Sequence, residues 1–187
     1  YAQIVNGAPF DVFLAADAER PKRLEEDGQA IAGSRFVYAK GTLVLWRPDG
    51  DGPEDVLPAL NQGDFRFLAI ANPRTAPYGT AAEQVLRRLE LWDALQSRIV
   101  RGENVAQAYG FVKSGHAQLG FVALAQLVGQ AERGPGTWWV VPEDHYAPIE
   151  QQAVLLRDTE PAWAFARFLQ APSTAATLRS LGYGLPQ

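Results

Sequence analysis

The stretch FRFLAIANPRTAPYGTAAEQVLRRLELW, residues 65–92, decides how the chain is read. Phe65 to Ala71 is a short, largely apolar run, the pattern of a strand covered on both faces. Pro73 and Pro77 then fix the direction of the chain beyond it. Past them Val85, Leu89 and Trp92 recur at i, i+4 and i+7, with Leu86 beside them and Arg87, Arg88 and Glu90 on the other side, which predicts an amphipathic helix. A strand that feeds a helix through a proline-marked turn is the unit of an α/β protein.

The alternation extends in both directions. Upstream, Phe10 to Ala16 reads as a parallel strand, Asp17 as an N-cap, and Pro21 to Glu26 as a short polar helix stopped by Gly28. Phe36 to Trp46 is rich in Val, Tyr, Leu and Phe and forms one long or two short strands, with a bend at Gly41. The turn formers from Pro48 to Pro53 make a surface loop between strand and helix. Downstream, Ile99-Val100, Leu119 to Ala125, Thr137 to Val141 and Ile149 to Leu156 read as strands, and Asn104 caps a helix through Val112. Two helices close the chain, one with Trp163, Phe165, Phe168 and Leu169 on its apolar side, the other with Leu178 and Leu181 before Gly182. Such alternation predicts parallel sheets with helices on both faces.

Composition narrows the function. The 187 residues suffice for one domain or two small lobes, and 47% are apolar, enough for a packed core. Seventeen Lys and Arg against 21 Asp and Glu leave a net charge of -4, so no basic field exists to hold nucleic acid. The absence of cysteine excludes disulfides, thiolate metal sites and a cysteine nucleophile. No apolar run approaches the roughly 18 to 20 residues that span a bilayer, and no export signal is visible. The chain holds no Met and opens on Tyr1-Ala2-Gln3-Ile4-Val5-Asn6-Gly7, which reads as the last turns of a helix ended by Gly7 and Pro9. The expectation is that a segment precedes Tyr1.

Catalytic candidates are few. His116 and His145 lie in no nucleophile elbow and no zinc helix motif, and are expected in loops or at the surface, so the chain does not read as an enzyme. Asp49, Asp51 and Glu54 suggest calcium, but the bidentate acid that an EF-hand loop needs would fall at Leu60. Gly134-Pro135-Gly136 is a turn, not a phosphate loop. Two helix starts remain, Pro77 to Ala82 and Asn104 to Gln107, neither with a carboxylate in its first turn. Helix N-termini present unpaired N–H groups to an anion, and Gly79 would let one approach closely. Ordinary capped helices are the competing reading of both.

The residues resemble the periplasmic molybdate-binding proteins of ABC importers over essentially the whole chain. Tyr1 to Pro9 followed by Asp11 to Asp17, Asn72-Pro73 with Ala76-Pro77-Tyr78-Gly79, Leu119-Gly120-Phe121-Val122-Ala123, and Gly182-Tyr183-Gly184-Leu185-Pro186 carry the resemblance. It implies a type II periplasmic-binding fold, with residues 1–72 and 149–187 in one lobe and 73–148 in the other, closing on the ligand by a hinge. It also implies that a tetrahedral dianion, molybdate or tungstate, is held without counter-charges in an inter-lobe cleft. The Tyr78 hydroxyl and the Val105 backbone N–H are the two donors that carry over by position. Neutral donors avoid burying unpaired positive charge, and a cavity of fixed size rejects smaller oxyanions such as sulfate.

Some members place Tyr where this chain has Ala123 and a small residue where it has Tyr78, so the chain resembles the other branch. The family's first strand, first helix and second strand would precede Tyr1 and carry the remaining donors, leaving the first lobe incomplete here. Arg74, near the crossover, is expected to be solvent-exposed, with steering of an anion the less favoured reading. The resemblance further implies a monomer in the periplasm that needs no cofactor, contacts a membrane permease and binds molybdenum only as the oxyanion. The alternative is the effector-sensing domain of a transcription regulator with the same fold.

Overall fold

The computed structural model describes residues 1–49, 56–128 and 136–186. In chain order the first elements are α1 (Ala2–Val5), β1 (Val12–Ala15), α2 (Glu19–Glu26), β2 (Phe36–Gly41), β3 (Leu43–Arg47) and α3 (Val56–Gln62). Then come β4 (Leu68–Ala71), α4 (Pro77–Arg88), α5 (Trp92–Leu95), β5 (Ile99–Gly102), α6 (Val105–Lys113) and β6 (Leu119–Ala123). The last are α7 (Leu124–Val128), β7 (Thr137–Val140), β8 (Ile149–Leu155), α8 (Glu160–Gln170) and α9 (Pro172–Ser180). They form two compact units, Tyr1–Gly41 with Ile149–Gln187, and Thr42–Pro148.

The first unit is built on a three-stranded sheet of order β1-β8-β2. Successive residues of β8 point to opposite faces, so Val154 packs with Ile4 and Leu24 while Leu155 packs with Ala162 and Ala166. α1 ends in a Schellman motif: Gly7 is left-handed at φ 86°, and the N–H groups of Gly7 and Ala8 bond the carbonyls of Ile4 and Gln3, each at 2.9 Å. α2 starts at Glu19, two residues before the expected Pro21, with Ala18 and not Asp17 at the N-cap, although the Asp17 carboxylate accepts the Arg20 N–H at 2.8 Å.

Three expectations are corrected here. β1 is not parallel to its neighbour but antiparallel to β8, with Val12 opposite Leu155. An apolar run marks a strand but carries no sign of direction, and β1 is not covered on both faces either, since Leu14 is 40% exposed. Phe36 to Trp46 forms two strands that belong to different sheets, so the chain leaves the first unit at Gly41/Thr42 and not at residue 72. The prolines at 73 and 77 mark the exit of β4 within the second sheet, whereas the true crossing has only Gly41-Thr42 to signal it. The helix expected to continue to Trp92 stops at Arg88, because Glu90 is left-handed at φ 59° and the Leu91 N–H bonds Leu86 O at 2.8 Å. This is a Schellman ending without glycine, and Trp92 opens α5 instead.

The second unit carries a five-stranded sheet of order β5-β4-β6-β3-β7. β4 runs parallel to β5 and β6, whereas β3 is antiparallel to β6 and β7. α6 lies on the face that presents Ala69, Val44, Trp46 and Val122, burying Ala108 and Val112 against them. Gly120 leaves room for that helix, since a Cβ there would run into Val112 Cγ2. The strand expected over Leu119 to Ala125 ends at Ala123, and α7 begins at Leu124. Among the described residues no helix is long and apolar enough to cross a membrane.

Tyr146 closes this unit by accepting the buried Leu43 N–H on its hydroxyl at 3.2 Å. Tyr146→Phe removes that acceptor and is expected to destabilise the protein by about 1–3 kcal/mol in urea unfolding at constant m-value. No change in midpoint would show that water takes over the bond. Burial raises the phenol of Tyr146, and burial followed by the neighbouring Tyr183 raises that of Tyr38, above the ordinary value of 10.0. The unfolded phenols ionise first, so this contribution to stability is present below about pH 10 and is lost as the pH rises beyond it.

Candidate anion-binding site at the strand exits

β4 and β5 are adjacent, parallel and in register, with Ala71 opposite Gly102. The chain therefore leaves both strands at the same edge of the sheet, and the Asn72 N–H ties the two exits by bonding Gly102 O at 2.7 Å. From one exit the chain enters α4, from the other α6. Ligands of open α/β sheets gather at this carboxyl edge, where helix N-termini face outward.

The α4 start is prepared by the Asn72 carbonyl, which accepts the N–H groups of Thr75 and Ala76 at 3.2 and 2.9 Å. Ala76 sits at the N-cap without a side-chain cap, Pro77 follows with no N–H to satisfy, and the first turn holds no acid. Gly79 packs so closely on the end of β4 that a Cβ would collide with Ala71 O. Tyr78 is the second residue of the helix and only 5% exposed.

The α6 start resembles a capping box, with the return bond reaching Glu103 and not the cap residue Asn104. The Asn104 side chain accepts the Gln107 N–H at 3.0 Å, and the Gln107 side chain accepts the Glu103 N–H at 2.6 Å. Both caps are neutral, no acid lies in the first turn, and Val105, half-buried, is the first helical residue. The N–H groups of Val105 and Ala106 have no acceptor among the described residues. The exit of β6 joins them through Gln126, whose carbonyl accepts the Ala123 N–H at 3.0 Å and whose amide donates to Val105 O at 3.4 Å. Gln126 was not legible in the sequence, because the helix that carries it follows a run that reads as continuous strand.

Tyr78, Val105 and Ala123 are thus gathered at one edge of one sheet. Arg74 is exposed, with its backbone N–H on Asn72 Oδ1 at 3.1 Å. The histidines are elsewhere engaged: His116 is exposed and bonds Ser114 Oγ at 2.7 Å, and His145 bonds Asp144 at 3.0 Å. That bond, and then the Arg88 guanidinium 3.0 Å away, hold the Asp144 carboxyl below the ordinary range. Asp49 is exposed, whereas Asp51, Glu54, Gly134 and Pro135 lie outside the described residues. Among the described residues no group of three or more His, Cys, Asp or Glu is placed to hold a metal cation.

The chain matches the family of bacterial extracellular solute-binding proteins over residues 1–184. It is 47% identical to the molybdate-binding protein ModA of Azotobacter vinelandii over 188 residues, 99% of this chain and 75% of that protein. It is 44% identical to ModA of Rhodobacter capsulatus over 186 residues, 98% of this chain and 72% of that one. The solved structure of the Azotobacter vinelandii periplasmic molybdate-binding protein superposes with a TM-score of 0.90 at 45% identity, covering 100% of this chain and 83% of the other. The chain belongs to the bacterial extracellular solute-binding protein family and has the type II periplasmic-binding fold.

Proposed function

We propose that the chain captures molybdate, and accepts tungstate, outside the cytoplasm and delivers the oxyanion to the membrane permease of an ABC importer. It acts as a monomer, without cofactor, catalysis or nucleic acid. The observation that carries the reading is the pairing of two helix starts, α4 and α6, at adjoining strand exits with neutral caps and no acid in either first turn. In this reading the Tyr78 hydroxyl and the Val105 N–H donate to the oxyanion, and Gln126 keeps the Val105 turn against the exit of β6. The 47% identity to a molybdate-binding relative supports the choice of ligand. A net charge of -4 weighs against nucleic acid, and the regulator alternative finds no support among the relatives described.

A ligand that binds only the folded state stabilises it by mass action, by about 2.7 kcal/mol at a hundredfold excess over the dissociation constant. Molybdate and tungstate at 1 mM are therefore expected to raise the melting temperature by several degrees. An unchanged melting temperature with both would remove the reading.

A further inference from the structure

We infer that Arg74 and Arg101 form an electrostatic capture pair that speeds the arrival of the dianion at the strand exits, an inference that rests on the receptor reading. A cavity of about 560 Å³ opens beside the α4 start, its wall including Asn72, Arg74, Glu83, Trp92, Gln96 and Arg101. Arg101 is the third residue of β5, immediately before the Gly102 whose carbonyl holds the Asn72 N–H, and Arg74 lies two residues beyond Asn72. Both cations therefore stand at the edge of the sheet where α4 and α6 begin.

Their charge is left uncompensated. Arg20, Arg35, Arg87, Arg88 and Arg167 each have a carboxylate partner, whereas among the described residues neither Arg74 nor Arg101 has one. Arg101 is positioned instead by a neutral group, with Nη2 on Gln96 Oε1 at 2.9 Å. Glu83, the acid in the cavity wall, is already paired with Arg87 at 2.7 Å. The cavity thus presents two free positive charges on a chain of net charge -4. A dianion is repelled by the molecule as a whole, and neutral donors attract it only at short range. A local positive field at the strand exits reverses that repulsion, and charges of this kind act on the association rate. Both arginines are exposed, so water screens them once the ligand is seated and the effect on its release is small.

The test is stopped-flow tryptophan fluorescence with molybdate. With both arginines changed to glutamine (R74Q/R101Q), the association rate constant is expected to fall roughly fivefold at ~10 mM salt, where the Debye length is ~30 Å. At ~1 M salt, where that length is ~3 Å, the loss is expected to shrink below about 1.5-fold. The dissociation rate changes less than about twofold, since a screened outer charge alters arrival more than release. Lysine at both positions restores the rate, because steering needs charge and not the guanidinium fork. Arg66→Gln removes a charge at the opposite end of β4 and leaves the rate unaltered. An unaffected rate in R74Q/R101Q at low salt, a loss that persists at high salt, or failure of lysine to rescue overturns the inference alone. Wild-type protein that gives no molybdate signal overturns the receptor reading, and the inference with it.

Discussion

Gly79→Ala is expected to destabilise the protein by about 3 kcal/mol, the upper part of the range for forcing extra volume into packed structure. The added methyl collides with Ala71 O and comes within 2.6 Å of Asn72 C and 2.7 Å of Ala71 C, all backbone atoms at the end of β4. That end cannot yield cheaply, because Ala71 is in register with Gly102 and the Asn72 N–H is bonded across to Gly102 O. The start of α4 must lift away instead. Intrinsic helix propensity favours Ala over Gly by about 1 kcal/mol, so the contact and the propensity predict opposite signs. Gly110 in α6 separates them: a Cβ there meets nothing within 4 Å, and Gly110→Ala is expected to stabilise by up to about 1 kcal/mol. Urea unfolding of the two variants measures both. A Gly79→Ala protein as stable as its parent would show that the close approach of α4 to β4 is wrong.

Tyr78→Phe is expected to weaken molybdate binding roughly 10- to 100-fold, since hydrogen bonds to charged groups contribute about 1.5–3 kcal/mol. The substitution keeps the ring of a residue that is only 5% exposed and deletes only the hydroxyl. Folding stability in the absence of ligand is measured alongside, and the loss in binding free energy is expected to exceed any loss in stability. That split distinguishes a ligand donor from a tyrosine that merely fills space. Calorimetric titration reads the affinity, and a dissociation constant within twofold of the parent would take Tyr78 out of the site.

The alternation of strand and helix was legible because each segment declares its burial locally. The apolar run of β4, the prolines behind it and the one-sided helix beyond need no distant information. Both helix starts could be placed the same way, from Pro77 at the first helical position and Asn104 at a cap. What failed depends on partners far along the chain. The direction of β1 is set by β8, and the boundary between units by the fact that β3 pairs with β6 and β7 while β2 pairs with β8. The stop of α4 carries no sequence mark, because Glu90 occupies a left-handed position that glycine usually fills. For the site, two anion-ready helix starts could be named from the residues, but not that register would set them side by side. Tyr78 and Val105 came from family resemblance, and Gln126 and Arg101 from the structure alone.

The central claim is that neutral donors at the α4 and α6 starts hold a tetrahedral oxyanion of one size. Isothermal titration with molybdate and then with sulfate, at fixed pH and salt, tests it most directly. The account predicts saturable one-to-one binding of molybdate, with sulfate at least about 100-fold weaker, a difference of about 2.7 kcal/mol. No heat of binding with molybdate, or equal affinities for the two anions, would contradict it.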